Sequence, residues 1–149
     1  MKHIDEVINK YGPATKLEGE NNYCTVSALS ASFGMPFDQA HDYASTLWKR
    51  VKGKGVRTRT MLTTFPDKVS EWKKVMKKDV QRVESTLDYK QPDGTIKTRK
   101  MTLSTFCKHY PRGRYYILVD SHALAVVDGE IIDHTDKPKR RIKYAWYVQ

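Results

Sequence analysis

Hydrophobic residues in the first half of the 149-residue chain recur every three or four positions, which is typical of helices that bury one face. In the second half, runs of β-branched and aromatic residues alternate with turn residues, as in the strands of a sheet. Helices are predicted over 3–11, 23–33, 37–51, 61–65, 67–80 and 103–110. Strands are predicted over 83–89, 95–101, 114–120, 122–127, 130–133 and 142–148. This order predicts an α+β protein, in which N-terminal helices pack on a C-terminal antiparallel β-sheet within one domain, residues 1–149.

The dipeptide Asp128-Gly129 separates two hydrophobic runs and predicts a tight β-hairpin. Both residues of such a two-residue turn need a positive φ, which Asp and Gly tolerate. With these two residues in the turn, His122 and Asp133 become diagonal neighbours on adjacent strands, about 7–8 Å apart at Cα. A carboxylate in that place can hold the imidazole in one tautomer. The alternative is that the two are ordinary polar residues at the ends of strands.

Cys24 opens the helix that is predicted between Asn22 and Gly34. Asn22 is a favourable N-cap, and Gly34 is a favourable residue just past the C-terminal end. A thiol in the first turn lies near the positive end of the helix dipole, which favours the thiolate. Backbone N–H groups that are free at this end can hold an oxyanion. The alternative is that Cys24 is a small hydrophobic core residue.

A cysteine that opens a helix, a histidine that opens a late strand and an aspartate after the next turn follow the chain order of papain-like cysteine peptidases. The segment Ser121–Val126 resembles the Asn-His-Ala-Val-Ala segment of that family. Asp133 lies where the family has the Asn or Asp that orients the histidine. The segments Asn22–Leu29 and Pro111–Val119 are similar to those of small papain-like proteins of tailed bacteriophages.

This resemblance implies a papain-like fold and a triad in which Cys24 is the nucleophile, His122 the general base and Asp133 the orienting residue. It also implies that Asn22 helps to hold the oxyanion, since Glu18 stands near the place of the family's glutamine. The expected reaction is acyl transfer to water or an amine at a peptide, isopeptide or amide bond. The expected substrate is a protein or peptide, and no cofactor is expected.

Other residues compete for these roles. The alternatives to Asp133 are Asp120, Asp128 and Asp136. Cys107 is the second thiol, but it falls in the middle of a predicted helix, where no helix dipole favours its thiolate. His109 lies at the end of the same helix and is expected on the surface. The spacing of the cysteines and histidines matches no metal-ligand motif, so no metal site is expected.

The chain carries 27 lysines and arginines against 17 acidic residues, a net charge of +10. Such a charge favours anionic partners, either nucleic acid or an acidic host protein. The residues expected to bind them are Arg112, Arg114, Lys139, Arg140, Arg141 and Lys143, and further basic runs lie over 49–59 and 73–78. The alternative function is therefore a catalytically inactive papain-fold protein that binds nucleic acid or a host protein through a basic surface.

The two cysteines do not make a disulfide framework, and no hydrophobic stretch reaches the ~18 residues of a membrane-spanning helix. The first residues lack the hydrophobic region of a signal peptide. We therefore expect free thiols, no membrane partner and no secretion. Together with the phage resemblance, this predicts a location in the cytoplasm of the infected host cell, with the virion as the alternative.

Overall fold

The computed structural model describes residues 1–11, 24–48, 78 and 80–148. Asn22, the helix predicted over 61–65 and the basic runs over 49–59 and 73–77 lie outside these residues. The helix predicted over 67–80 is described only near its end, where Val80 begins a strand instead. That end of the prediction is wrong, because Val80 pairs with the last strand of the chain, which local periodicity does not reveal.

Four α-helices lie within the described ranges. They are α1 (Ile4–Ile8), α2 (Cys24–Phe33), α3 (Phe37–Trp48) and α4 (Leu103–His109). A turn of 3-10 helix, Asn9–Tyr11, continues α1. None of these helices combines the length and the hydrophobicity that crossing a bilayer requires.

Helix α2 is buried along its whole length after Cys24. Its many alanines and serines allow close packing against the neighbouring helices and the sheet. The helix ends as predicted at Gly34, whose φ of +70° is unfavourable for residues with a Cβ. The Gly34 N–H donates to the Ser30 carbonyl at 2.9 Å, which satisfies one of the last helix carbonyls.

Six strands form the central sheet, so the chain is of mixed α+β class. They are β1 (Lys2–His3), β2 (Val80–Val83), β5 (Arg114–Val119), β6 (His122–Val127), β7 (Glu130–Asp133) and β8 (Tyr144–Val148). Their order across the sheet is β1-β7-β6-β5-β8-β2. All neighbours are antiparallel except β1, which runs parallel to β7. The sequence placed His3 in a helix, and the helix begins only at Ile4, because residues 2–3 pair with a distant strand.

A separate two-stranded sheet is formed by β3 (Thr86–Lys90) and β4 (Ile96–Lys100). This hairpin confirms the predicted turn around Gly94, whose φ is +87°. Val83 was predicted to start the hairpin but ends β2 instead, where it pairs with Ala145. The predicted strand over 83–89 is therefore two strands, because its two ends pair with different partners.

Each face of the central sheet carries its own core cluster. On the face covered by α1, α2 and α3, the strands contribute Val80, Tyr116, Leu118, Ala123, Ala125, Ile132, Trp146 and Val148. On the face covered by α4, they contribute Tyr115, Ile117, Val119, Leu124, Val126, Ile131 and Ala145. Because β5 and β6 are buried on both faces, their sequences are almost continuously hydrophobic.

The β6–β7 hairpin has the turn and the register that the sequence predicted. Asp128 and Gly129 have φ values of +50° and +74°, as a two-residue turn of this type requires. Val127 pairs with Glu130 across the turn. The turn is held from outside, because the Asp128 N–H donates to the Gly113 carbonyl at 2.8 Å. The register of the hairpin therefore depends on both local and tertiary contacts.

We expect Gly129→Ala to destabilise the protein more than Gly94→Ala. Both positions have positive φ, which costs an alanine about 1 kcal/mol. A Cβ at Gly129 would also lie 3.3 Å from the backbone of Pro111, whereas a Cβ at Gly94 meets nothing within 4 Å. Urea unfolding should show a loss of about 2–3 kcal/mol for Gly129→Ala and about 1 kcal/mol for the control. Equal losses would contradict the close packing of the turn.

Candidate active site

His122 and Asp133 meet at the end of the β6–β7 hairpin away from its turn. The Nε2 atom of His122 lies 2.5 Å from Oδ1 of Asp133. The same oxygen accepts the backbone N–H of His134 at 2.7 Å. The carboxylate is fully buried, so these contacts hold it in one orientation away from water. The diagonal juxtaposition that the hairpin register predicted is therefore present.

Cys24 lies in the first turn of α2, beside the start of β6. Its thiol is hydrogen-bonded with the ring of His122 and with the backbone N–H of Ala123. Because Nε2 of His122 faces Asp133, Nδ1 is the ring nitrogen that remains for the thiol. The carboxylate accepts a hydrogen bond from Nε2–H of His122, which leaves Nδ1 to take the proton of Cys24. The structure thus places His122 between Cys24 and Asp133, in contact with both.

The surroundings of the two central groups favour their charged forms. Burial raises the pKa of the Cys24 thiol, but the hydrogen bonds and charge of His122, with the N–H of Ala123, bring the pKa below its ordinary value. The pKa of His122 is raised from 6.5 to about 9, first by the hydrogen bond to Asp133 and then by that to Cys24. Both shifts favour the charged forms, a thiolate beside an imidazolium.

Three more titratable side chains, His3, His134 and Asp5, lie near Asp133. Strand β1 brings His3 opposite Asp133 in the parallel register. The ring of His134 lies 5.5 Å from that of His3 and 6.1 Å from that of His122, between centroids. Nε2 of His134 is 3.7 Å from a carboxylate oxygen of Asp5. Burial lowers the pKa of His134, against the opposite effect of Asp5 and Asp133.

Sequence reasoning missed this N-terminal contribution. His3 and Asp5 stand far from Asp133 in the chain, and the short strand β1 has no periodicity of its own to predict it. The one local hint was His134, which follows Asp133 directly. The N-terminal segment therefore forms part of the wall around the candidate triad.

His122, Asp133 and His134 also offer three possible metal-ligand atoms within 4.8 Å of one another. The spacing of cysteines and histidines in the sequence did not predict this cluster. A cation bound there would use a ring nitrogen of His122 and a carboxylate oxygen of Asp133, the two groups that contact each other in this site.

The other candidate aspartates lie away from His122. Asp120 is 88% exposed, and its Oδ1 lies 3.3 Å from Nζ of Lys143. Asp128 accepts a backbone N–H at the opposite end of the hairpin, at 2.9 Å. Asp136 is exposed and lines a cleft beside α4. Of the aspartates considered, Asp133 is the one placed against His122.

Cys107 differs from Cys24 in its electrostatic surroundings. It is half-buried in α4, and burial raises the pKa of its thiol. His109, in the last turn of the same helix, is exposed. These positions favour Cys24 over Cys107 as the nucleophile, since the thiolate is the reactive form.

The basic residues that were expected to bind an anionic partner lie at two ends of the sheet. Arg112 and Arg114 stand at the start of β5, and the guanidinium of Arg114 donates to the Ala31 carbonyl at 2.8 Å. Lys143 stands at the other end of β5, where its N–H donates to the Leu118 carbonyl at 2.8 Å. The run Lys139, Arg140, Arg141 and Lys143 leads into β8 at that end. The length of β5 therefore separates the two groups.

Asn22, the expected oxyanion donor, lies outside the described residues. Cys24 is the first described residue of α2, and its own backbone N–H is the donor adjacent to its thiol. The site thus holds a thiol with a lowered pKa, a base, an orienting carboxylate and a backbone donor, the parts that nucleophilic acyl transfer uses. Comparisons with protein-family models, curated proteins and solved structures found no match to this chain.

We expect iodoacetamide to alkylate Cys24 at pH 7 at least about tenfold faster than Cys107, because the two thiol pKa values are shifted in opposite directions. In His122→Ala, Cys24 should lose this advantage while the rate of Cys107 stays unchanged. Mass spectrometry of each cysteine-containing peptide, over a range of pH, measures both rates. If the rate of Cys24 does not depend on His122, the pairing of the two residues is wrong.

The raised pKa of His122 also predicts a pH dependence of stability. A group whose pKa is higher in the folded state stabilises that state below its unfolded pKa, and this contribution is lost as pH rises through the folded pKa. The thiolate of Cys24 has the opposite effect, so Cys24→Ala gives the clearer measurement. In this variant the hydrogen bond to Asp133 still raises the pKa of His122, without the contribution of Cys24. The free energy of unfolding should therefore fall as pH rises above 6.5, by about 1.4 kcal/mol for each pKa unit that Asp133 alone contributes.

Urea unfolding at a series of pH values measures this free energy. The matched control is the double variant Cys24→Ala with His122→Gln, which lacks the imidazole. Parallel pH curves for the two chains would show that His122 is not stabilised in its protonated form.

Proposed function

We propose that this protein is a papain-like cysteine hydrolase or acyltransferase that acts on a peptide, isopeptide or amide bond. The observation that carries the proposal is the hydrogen-bonded line from the Cys24 thiol through the His122 ring to the buried carboxylate of Asp133. A buried carboxylate, an imidazole with a raised pKa and a thiol with a lowered pKa form a combination that suits nucleophilic catalysis.

The proposed reaction begins when the Cys24 thiolate attacks the carbonyl carbon of the substrate. The oxygen becomes an oxyanion, which the backbone N–H of Cys24 stabilises. The intermediate collapses as His122 gives its Nδ1 proton to the leaving amine, and a thioester on Cys24 remains. Water or a second amine then attacks the thioester, His122 takes the proton of the attacking group, and the thiolate is restored. Asp133 keeps the imidazole oriented throughout.

The order of the elements agrees with a papain-like arrangement. A helix in the first part of the chain carries the cysteine, its first described residue, and a central antiparallel strand begins with the histidine. The alternative, an inactive protein that binds an anionic partner through one basic surface, has less support. The two groups of basic residues lie at opposite ends of β5, and the guanidinium of Arg114 serves as a cap of α2.

The experiment that tests the proposal follows acylation of Cys24 by p-nitrophenyl acetate. The wild-type chain should release p-nitrophenolate in a burst and carry an acetyl group on Cys24, detected by mass spectrometry. Cys24→Ala should abolish the burst, and Asp133→Ala should lower its rate by about 10²-fold, because the ring of His122 loses the carboxylate that orients it. Release of the acetyl group by neutral hydroxylamine identifies the adduct as a thioester, since hydroxylamine cleaves thioesters readily.

Cys107→Ala is the matched control, since it removes the other thiol and should leave the burst unchanged. A burst that persists in Cys24→Ala, or that is lost equally in Cys107→Ala, would contradict the proposed nucleophile. Absence of any acyl adduct on Cys24 in the wild-type chain would refute the enzymatic function.

A further inference from the structure

A cleft of about 530 Å³ opens where β2 ends, β3 begins and β8 begins. Three of its lining residues are cationic, Arg82, Lys100 and Lys143, and one is acidic, Glu84. One oxygen of the Glu84 carboxylate, Oε1, accepts hydrogen bonds from the backbone and the side chain of Thr86. The cleft therefore presents a net positive charge with donors that suit an anionic group.

The strand register places this cleft beside the candidate nucleophile. Tyr144, which lines the cleft, pairs with Leu118, and Leu118 pairs with Ala123 on the next strand. The N–H of Ala123 is the group that donates to the thiol of Cys24. The row from Ala123 to Tyr144 crosses two strand spacings of about 4.8 Å, so the cleft begins about 10 Å from the thiol's backbone partner.

Arg82 is held on the same side of the sheet as Cys24. Its guanidinium lies over the ring of Tyr144, 4.5 Å from the centroid. Tyr144 and Cys24 both pack at the margin of the core cluster under α2. A guanidinium that stacks on an aromatic ring keeps its edge free for two parallel hydrogen bonds to a carboxylate. The stacked arginine is therefore oriented in advance for an acidic group.

We propose that this cleft is a subsite for acidic side chains of a peptide substrate; the inference rests on the proposed function and names its substrate class. An extended peptide advances about 3.3 Å per residue. A chain bound with its carbonyl at Cys24 would thus place in the cleft a residue about three positions from the bond that reacts. Arg82 and Lys143 bind the carboxylate there.

A peptide suits the cleft better than a nucleic acid does. Glu84 stands among the three cations and interrupts the positive surface. An evenly charged phosphate backbone would meet this carboxylate, whereas separate acidic side chains on a peptide can avoid it. Nζ of Lys143 also lies 3.3 Å from Oδ1 of the exposed Asp120. An acidic residue of the substrate would therefore compete with Asp120 for Lys143.

The test measures how well hexaglutamate protects Cys24 from iodoacetamide at low salt, with hexaglutamine as the uncharged match. Hexaglutamate should slow alkylation of Cys24 about three- to tenfold, since each exposed ion pair changes binding by up to about fivefold. Hexaglutamine should have no effect, and alkylation of Cys107 serves as the internal reference. Protection should disappear at about 0.5 M NaCl, where exposed charges are screened.

Substitutions inside and outside the cleft distinguish the effect of its cations on protection from the effect of the protein's net positive charge. Arg82→Gln combined with Lys143→Gln should lose most of the protection by hexaglutamate. Lys10→Gln removes an exposed charge beside the turn at the far end of β6 and should leave protection unchanged. Equal loss in both chains, or equal protection by the two peptides, would overturn the proposal.

Three further outcomes distinguish failure of the subsite from failure of the proposed function. A single-stranded oligonucleotide of equal charge that protects Cys24 where hexaglutamate does not would replace the peptide with a nucleic acid and overturn the subsite. Rapid alkylation of Cys24 that depends on His122 but is unaffected by hexaglutamate would also overturn the subsite, while the proposed function would stand. Slow alkylation that is independent of His122 would remove the proposed function itself.

Discussion

The contact between His122 and Asp133 is the interaction on which the rest of the site depends. It joins the first residue of one strand to the last residue of the next, so it exists only if the turn contains two residues. A shift of one residue would move Asp133 to the other face of the sheet. Asp128 and Gly129 secure that register because both adopt a positive φ, and the loop before β5 holds the turn in place through Gly113.

The buried carboxylate also explains the electrostatics of the site. A carboxylate with no exposed surface is costly unless charged or hydrogen-bonded groups face it. The protonated ring of His122 supplies such a group, and this raises the pKa of the imidazole to about 9. A ring that remains protonated at neutral pH in turn stabilises the thiolate of Cys24. The lowered pKa of the Cys24 thiol is thus linked, through His122, to the buried carboxylate of Asp133.

The end of the sheet where β5 ends and β6 begins connects the candidate triad with its surroundings. The ends of β1, β6 and β7 bring together the groups around His122, and the next strands, β5 and β8, lead to the positively charged cleft. The N-terminal segment contributes His3, at the end of strand β1, and Asp5, in helix α1; the sequence predicted a helix from His3 onward. The division of the predicted strand over 83–89 between two sheets creates the cleft, since Glu84 and Ser85 line it where the chain changes partners.

The sequence alone determined the elements whose information is local. The Asp128-Gly129 turn, the end of α2 at Gly34 and the hydrophobic runs of β5 and β6 were predictable because turn geometry and burial depend on neighbouring residues. Local patterns also placed Cys24 at the start of a helix. The tertiary structure decided the pairing of β1, the strand at Val80 and the contact of the thiol with His122. These depend on residues far apart in the chain, whose pairing no short window of sequence contains.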